Sequence, residues 1–473
     1  MQRSLRLLIL SATFALMPAL SQAATAKLLV TNGTMMTIKP GEEEPYVGYL
    51  AIGTDGKIMA LGKGAPPADL TATETVDAKD KFIIPGFISA HSHIWQSAFR
   101  GLAPNDWVRN WVTVTRSQSN QGTAEDFYWF TLHGYLDHLR HGITSAYNFT
   151  NGNKNPAYEQ QQLKAGIDSG MRFVHAWARG GAGLGAPFGA PALSPAEVRA
   201  QFVDFMKYAE AYKDSPLLLK FSVSGTANTK ESVQTDYSLV KEFNLVNQTH
   251  FLEFPRDTEE QRAHFKFFVE TGALGPTLYF GHFIHTDDVM LEAVGKAGAG
   301  MSWNPLSNGR LASGLADIPR YLRFGVKIGM GVDGQASADI ADPFENMRMG
   351  LYGIRAKYQS PTIMRAIDVL RFHTLGSATV MNVADKVGSL EVGKFGDFLV
   401  INPAAVDTAP VYDPYATLVF ACNSQNLEGV YVGGDLVSSY CKLLKADFAK
   451  VQQETHDRVN RIRSTTKVAP SAP

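Results

Sequence analysis

The 473-residue sequence predicts an α/β protein, a (β/α)8 TIM barrel carrying a small β-sandwich domain built from both chain ends. Two observations lead there. Eight strand-like apolar runs alternate with amphipathic, helix-period segments between residues 85 and 386. Short β-like runs with turn residues precede that region and recur after it, so one β unit is split around an inserted domain.

In chain order, residues 1–23 read as an export signal. Arg3 and Arg6 form a basic start, residues 7–20 are apolar but too few to span a bilayer, and Ser21-Gln22-Ala23 puts small residues at the cleavage positions, with Ala26 as a second choice. The mature chain is expected to be exported and free of the membrane, and periplasmic if the source is Gram-negative. Residues 24–84 supply the first half of the sandwich, with runs at 28–30, 35–38, 49–52, 57–61 and 82–84 and a hairpin signal at Thr54-Asp55-Gly56.

The barrel is expected over residues 85–386. Its first strand continues the apolar run from Phe82 through Ile88 to His91. The others lie at 143–147, 171–177, 217–222, a run ending at Thr249-His250, 278–282, 301–303 and 326–332. Thr123 with Asp126 starts a helix reaching about Arg140, and further helices are expected at 287–296 and 315–324. Residues 387–440 complete the sandwich, and 441–473 form a C-terminal helix and a disordered tail beyond Lys467.

Charge excludes some partners. With 44 basic and 45 acidic residues, no net field steers the chain to nucleic acid or an anionic membrane, which leaves a neutral small molecule. Cys422 and Cys441 are too few for a cysteine-rich zinc site, and no P-C-x-x-C pattern is present. They form either one disulfide or two separately buried thiols, the second being favoured.

His91 and His93 stand two apart at a strand end, so both side chains face one way and can chelate a borderline-soft divalent ion. Two surface histidines at that spacing would look the same. His250, His282 and Asp333 also end strands, and a barrel converges strand ends on one rim. Glu253, three past His250, would face away on a continuing strand. It therefore sits either on a bend that Pro255 helps to end, with its carboxylate turned back to the site, or as a solvated loop acid.

Taken together, these residues resemble the amidohydrolase superfamily, in the branch of cytosine, guanine and S-adenosylhomocysteine deaminases and triazine hydrolases. The likeness runs from about Leu28 to Val437. It is carried by Pro85-Gly-Phe with His91-x-His93, His250-x-x-Glu253, Gly281-His282, Asn304-Pro-Leu-Ser-Asn308 with Leu311-Ala-Ser-Gly314, Gly331-Val-Asp333-Gly and the 388–397 segment Gly-Ser-Leu-Glu-Val-Gly-Lys-Phe-Gly-Asp. The resemblance implies one divalent metal, zinc first and iron second, on His91, His93, His250 and Asp333. It implies that Glu253 protonates a ring nitrogen, that Asp333 takes the proton of water, and that His282 hydrogen-bonds the attacking metal-bound hydroxide.

The activity so implied is hydrolysis of a non-peptide C–N bond, foremost deamination of an amino-substituted heteroaromatic compound. The alternatives are an amide, urea, carbamate or aryl halide substrate, and a non-catalytic binding protein on the same scaffold. Relatives often form dimers, so a homodimer is expected by analogy. Lys220 is read as an outward lysine with its stem on apolar surface, the alternative being a carboxylated bridge between two metals. Trp95, Gln96, Trp177 and Arg179 are the candidate substrate contacts, with Arg100, Trp303 and a loop over residues 105–111 nearby, because aromatic walls with a few polar groups suit a flat heterocycle. The glycine-rich stretch 180–185 is read as a mobile loop rather than a phosphate cradle. His133, His138, His141, His175, His264, His373 and His456 are read as structural, with His285 the one exception among the remaining histidines.

Overall fold

A computed structural model describes residues 25–179, 193–256 and 258–465. The expected export signal, the 180–185 stretch and the tail beyond Lys467 lie outside the described residues. Five strands precede the barrel: β1 (Thr25–Met35), β2 (Tyr46–Ile52), β3 (Ile58–Lys63), β4 (Thr71–Asp77) and β5 (Phe82–Pro85). The barrel strands are β6 (Phe87–Ser92), β7 (Ile143–Phe149), β8 (Arg172–Trp177), β9 (Leu218–Gly225), β10 (Val246–Phe251), β11 (Leu278–His282), β12 (Gly300–Trp303) and β13 (Lys327–Met330). Four more follow: β14 (Phe398–Ile401), β15 (Leu427–Val432), β16 (Asp435–Ser439) and β17 (Lys442–Leu443).

β6 to β13 pair in parallel and in chain order, the arrangement expected of βα repeats. The ring closes by hydrogen bonds from the stretch after β13 to β6: Asp333 N–H donates to His91 O at 3.0 Å, and Val332 N–H to Ser89 Oγ at 3.0 Å. The interior is packed, with Ile88, Ala90, Tyr147, Val174, Leu219, Val246 and Tyr279 forming one apolar cluster with Ala378, Val380 and Val387. Helix Ala124–Arg140 opens with the expected reciprocal cap between Thr123 and Asp126.

The remaining strands, from both chain ends, join in one nine-stranded sheet beside the barrel. β1 holds it together. It pairs with β2 on one edge, and at a bulge between Val30 and Gly33 its other edge passes from β4 to β5. β4, whose sequence Thr-Ala-Thr-Glu-Thr-Val-Asp is largely exposed, was not expected, because it carries almost none of the apolar signal that marks a buried strand. Cys422 and Cys441 are both free thiols, the first buried and the second donating to Ser424 O at 3.1 Å.

The apolar run from Phe82 to His91, expected as one strand, is two strands in different sheets. β5 pairs with β14, β6 with β7, and Gly86 makes the crossing. Gly86 N–H donates to Asp397 O while the next residue, Phe87, donates to Gly142 O, each at 3.0 Å. Both flanks are buried, so nothing in the hydropathy marks the break. A Cβ at Gly86 would lie 2.0 Å from Thr144 Oγ1 and 2.7 Å from its Cβ. Gly86→Ala should therefore destabilise the protein by about 1–3 kcal/mol in thermal or urea unfolding. Gly275→Ala, where an added Cβ meets nothing within 4 Å, should leave the midpoint within experimental error.

Candidate metal centre and substrate cavity

Five side chains meet at the C-terminal rim. His91 lies near the end of β6 with His93 just beyond it, His250 is in β10, His282 ends β11, and Asp333 follows β13. All but His250 are almost wholly buried, and that residue is half-buried. Several rim residues hold backbone angles that side chains rarely adopt: φ is +56° at Leu252, +69° at His282, +46° at Phe283 and +59° at Asp333. Strain of this kind, about 1–3 kcal/mol per residue, persists where surroundings over-determine it, as at functional sites.

His93 Nε2 lies 3.0 Å from His250 Nε2, and Asp333 Oδ1 is 3.4 Å from His91 Nε2 and 3.6 Å from His93 Nε2. Four ligands at about 2.0–2.1 Å from a tetrahedral ion stand roughly 3.3 Å apart, so these separations suit one divalent ion. His91 Nε2 is buried with no hydrogen-bond partner among the described residues. Burial and then the neighbouring His91 push His93 down to about 4, and the same two causes hold His250 well below the ordinary histidine range. Both are neutral near pH 7, as ligation requires. Burial opposes ionisation of Asp333, but the nearby His91 and then the other histidines hold it well below the usual carboxylate range, and Ser307 Oγ–H and Gly334 N–H donate to its two oxygens at 2.6 and 2.8 Å.

His282 also lies close enough to His91 and His250 to form a three-donor group. Its own partners set it apart. Asn308 and Asn304 donate to Nδ1 at 2.8 and 3.4 Å, which assigns the proton to Nε2, the atom 3.7 Å from Glu253 Oε2 and 3.9 Å from Asp333 Oδ2. Glu253 is not a solvated loop acid but a buried one. The bend that turns it inward is at Leu252 rather than at Pro255. Burial, then the charge of Asp333, raises the Glu253 carboxyl well above its ordinary value.

A cavity of about 460 Å³ opens above these groups. A family model described as the amidohydrolase family matches residues 82–437. The chain belongs to the amidohydrolase family. The 5-methylthioadenosine/S-adenosylhomocysteine deaminase of Syntrophobacter fumaroxidans is 30% identical over 460 residues, covering 94% of this chain and 99% of that one. The 5'-deoxyadenosine deaminase of Methanosarcina barkeri is 26% identical over 452 residues, covering 91% and 96%. The same fold is seen in a zinc-bound adenosine deaminase from Xanthomonas campestris (TM-score 0.81, 21% identity, 93% of this chain and 100% of that one). It is seen again in atrazine chlorohydrolase from Arthrobacter aurescens TC1 complexed with zinc (TM-score 0.80, 21% identity, 91% and 100%). The protein is a metal-dependent hydrolase of non-peptide C–N bonds.

Of the expected substrate contacts, Gln96 and Arg179 line this amidohydrolase's cavity. Arg179 is held in an ion pair with the buried carboxylate of Asp236. Trp95 and Trp177 do not line it. Trp95 is wholly buried, stacked on Phe127, and donates to Asn151 Oδ1 at 3.0 Å, and Trp177 packs edge-on against Phe202. Trp303 is likewise buried in the core, and Arg100 is engaged by Asp137 and Asp339 O. The aromatic walls are instead Phe149, Phe254 and Trp111. Residues 105–111, expected as a loop, run into helix Val108–Ser119, whose Val108, Trp111, Val112 and Arg116 face the cavity. Of the walls, only Trp111 falls in the 105–111 stretch expected near the site; Phe149 and Phe254 carry no sequence signal that separates them from core residues.

The two-metal alternative through Lys220 fails on register. Ser224 of β9 pairs with Gln248, so Lys220 sits four positions lower, roughly 13 Å below that level at about 3.3 Å per residue. There its surroundings are Lys386 and Asp385, and burial followed by the repulsion of Lys386 lowers its pKa. His285, half-buried, is bonded to Ser313 O at 2.8 Å.

Besides His93, burial pushes His138 and His373 down to about 4 and His282 to about 3. Below the ordinary histidine value of about 6.5 the unfolded chain binds protons that these buried rings refuse, so folding stability falls with pH there. The unfolding temperature of the metal-free protein should drop steadily between about pH 6.5 and 4. A flat or rising profile over that window would contradict these assignments.

Proposed function

We propose that this amidohydrolase deaminates the amino-bearing ring carbon of an adenine nucleoside, with zinc as its metal. One observation carries the reading: two buried carboxylates, Glu253 and Asp333, face one cavity within 3.7 and 3.9 Å of the same His282 Nε2, and their surroundings push their ionisations apart, Glu253 up and Asp333 down. Such a pair supplies a proton donor and a proton acceptor at the same pH. The deaminase names of the relatives point to the adenine ring, and three imidazoles with one carboxylate are a donor set that suits zinc. With residues 1–23 as an export signal, the substrate is one met outside the cytoplasm.

His91, His93, His250 and Asp333 would hold the ion. When bound, it supplies Lewis-acid activation of water, lowering its pKa from 15.7 to about 7. Glu253 donates its proton to the ring nitrogen beside the amino-bearing carbon, which makes that carbon electrophilic. As water adds there, Asp333 accepts one of its protons. His282 Nε2–H donates to the incoming oxygen, which becomes the ring carbonyl. The hydroxyl proton of the tetrahedral carbon then returns to Glu253, the proton on Asp333 passes to the amino group, and ammonia leaves. Phe149 and Phe254 offer flat apolar surface to the ring while Asn151, Thr226 and Asn228 offer neutral polar groups to the sugar.

The test is ammonia release from 5'-deoxyadenosine and 5'-methylthioadenosine, with conversion of the adenine to the hypoxanthine chromophore followed in parallel. Both substrates should turn over, and Glu253→Gln should lower kcat by 10²–10⁴-fold while the fold and metal content are retained. Turnover unchanged in Glu253→Gln would sink the mechanism. Chloride release from a chlorotriazine without any ammonia release from either nucleoside would replace the proposed substrate class.

A further inference from the structure

We infer that Gln248 is a positioning residue that sets the tautomer and tilt of His91, and through it the strength with which the site holds its metal. Gln248 lies in β10, two residues before His250, and is wholly buried inside the barrel. β6 and β10 are four strands apart in the eight-stranded ring, so the side chain spans the interior from one wall to the opposite one.

Hydrogen-bond logic fixes the direction. Gln248 Nε2 donates to Ala90 O at 2.8 Å, and a carbonyl oxygen can only accept, so the amide cannot be turned end for end. Its Oε1 therefore faces His91 Nδ1 at 2.5 Å, and Nδ1 must carry the proton. The lone pair is left on His91 Nε2, the buried atom without a hydrogen-bond partner among the described residues, 3.4 Å from Asp333 Oδ1. His93 reaches the same state by giving Nδ1–H to a backbone carbonyl, Phe149 O, at 3.1 Å, which no side-chain substitution removes. His91 depends on a side chain. Tyr279 also donates to Ala90 O at 3.0 Å, so the carbonyl before His91 stays anchored when Gln248 is altered.

Outer partners of metal-bound histidines typically account for 10–100-fold in metal affinity. The experiment measures zinc affinity by chelator competition, with zinc alone as the probe, and reads the histidine tautomers by ¹⁵N NMR on the same samples. Gln248→Leu should bind zinc about 10–100-fold more weakly and lose the uniform Nδ1–H state of His91. Gln248→Glu, whose carboxyl when protonated can donate to Ala90 O while keeping an acceptor against Nδ1, should recover both, and Tyr279→Phe should bind like the wild type. Gln248→Leu matching the wild type, or Gln248→Glu remaining as weak as Gln248→Leu, overturns the inference. The inference rests on the metal site proposed above, and the two fail differently: a wild type that takes up no zinc overturns the site and this step with it, whereas tight binding by both wild type and Gln248→Leu overturns this step alone.

Discussion

The hydrogen bond from Asp333 N–H to His91 O closes the barrel, and the site depends on it. His91 and Asp333 are 242 positions apart in the chain, and each brings a side chain to the cluster from the same backbone link that joins first strand to last. Closure and site assembly are thus one event. Ser89 reinforces it by accepting from Val332 N–H and donating to His91 O. The left-handed angles at Leu252, His282, Phe283 and Asp333 show where the rim departs from regular strand geometry. These departures turn Glu253 inward and let His282 and Asp333 approach without sharing one strand register.

Burial then gives the converged groups different jobs. The same low-dielectric pocket that keeps the imidazoles neutral raises Glu253, while the close histidines and the donors Ser307 Oγ–H and Gly334 N–H reverse that tendency at Asp333. A solvated pair of carboxylates would both be ionised near pH 7, and no proton donor would face the ring. Support reaches the cavity from outside the barrel as well: the C-terminal helix Phe448–Thr465 places Ile462 in the apolar cluster containing Trp95, Trp111 and Phe127, and its Arg458 and Arg461 pair with Glu125 and Asp126.

Much of this was legible in the chain itself. Alternating apolar runs locate the eight barrel strands because most are buried on both faces, and the strand-end histidines stand out because a barrel brings strand ends to one rim. What stayed hidden depends on single backbone angles or on which surface a side chain finally meets. Gly86 separates two sheets inside one unbroken apolar run, and Leu252 bends the chain where Pro255 looked the better breaker. Trp95 and Trp177 have the composition of a heterocycle wall but are absorbed into the core, while Phe149 and Phe254 take that place. Gln248 carries no motif at all, and only the direction of its amide shows what it holds.

The most direct measurement is metal content per chain, combined with X-ray absorption at the metal edge. About one ion per chain is expected, ligated by three imidazole nitrogens and a carboxylate oxygen, a ligand set that Asp333→Ala would dismantle. About two ions per chain, or a ligand set left intact in Asp333→Ala, would contradict the one-metal site.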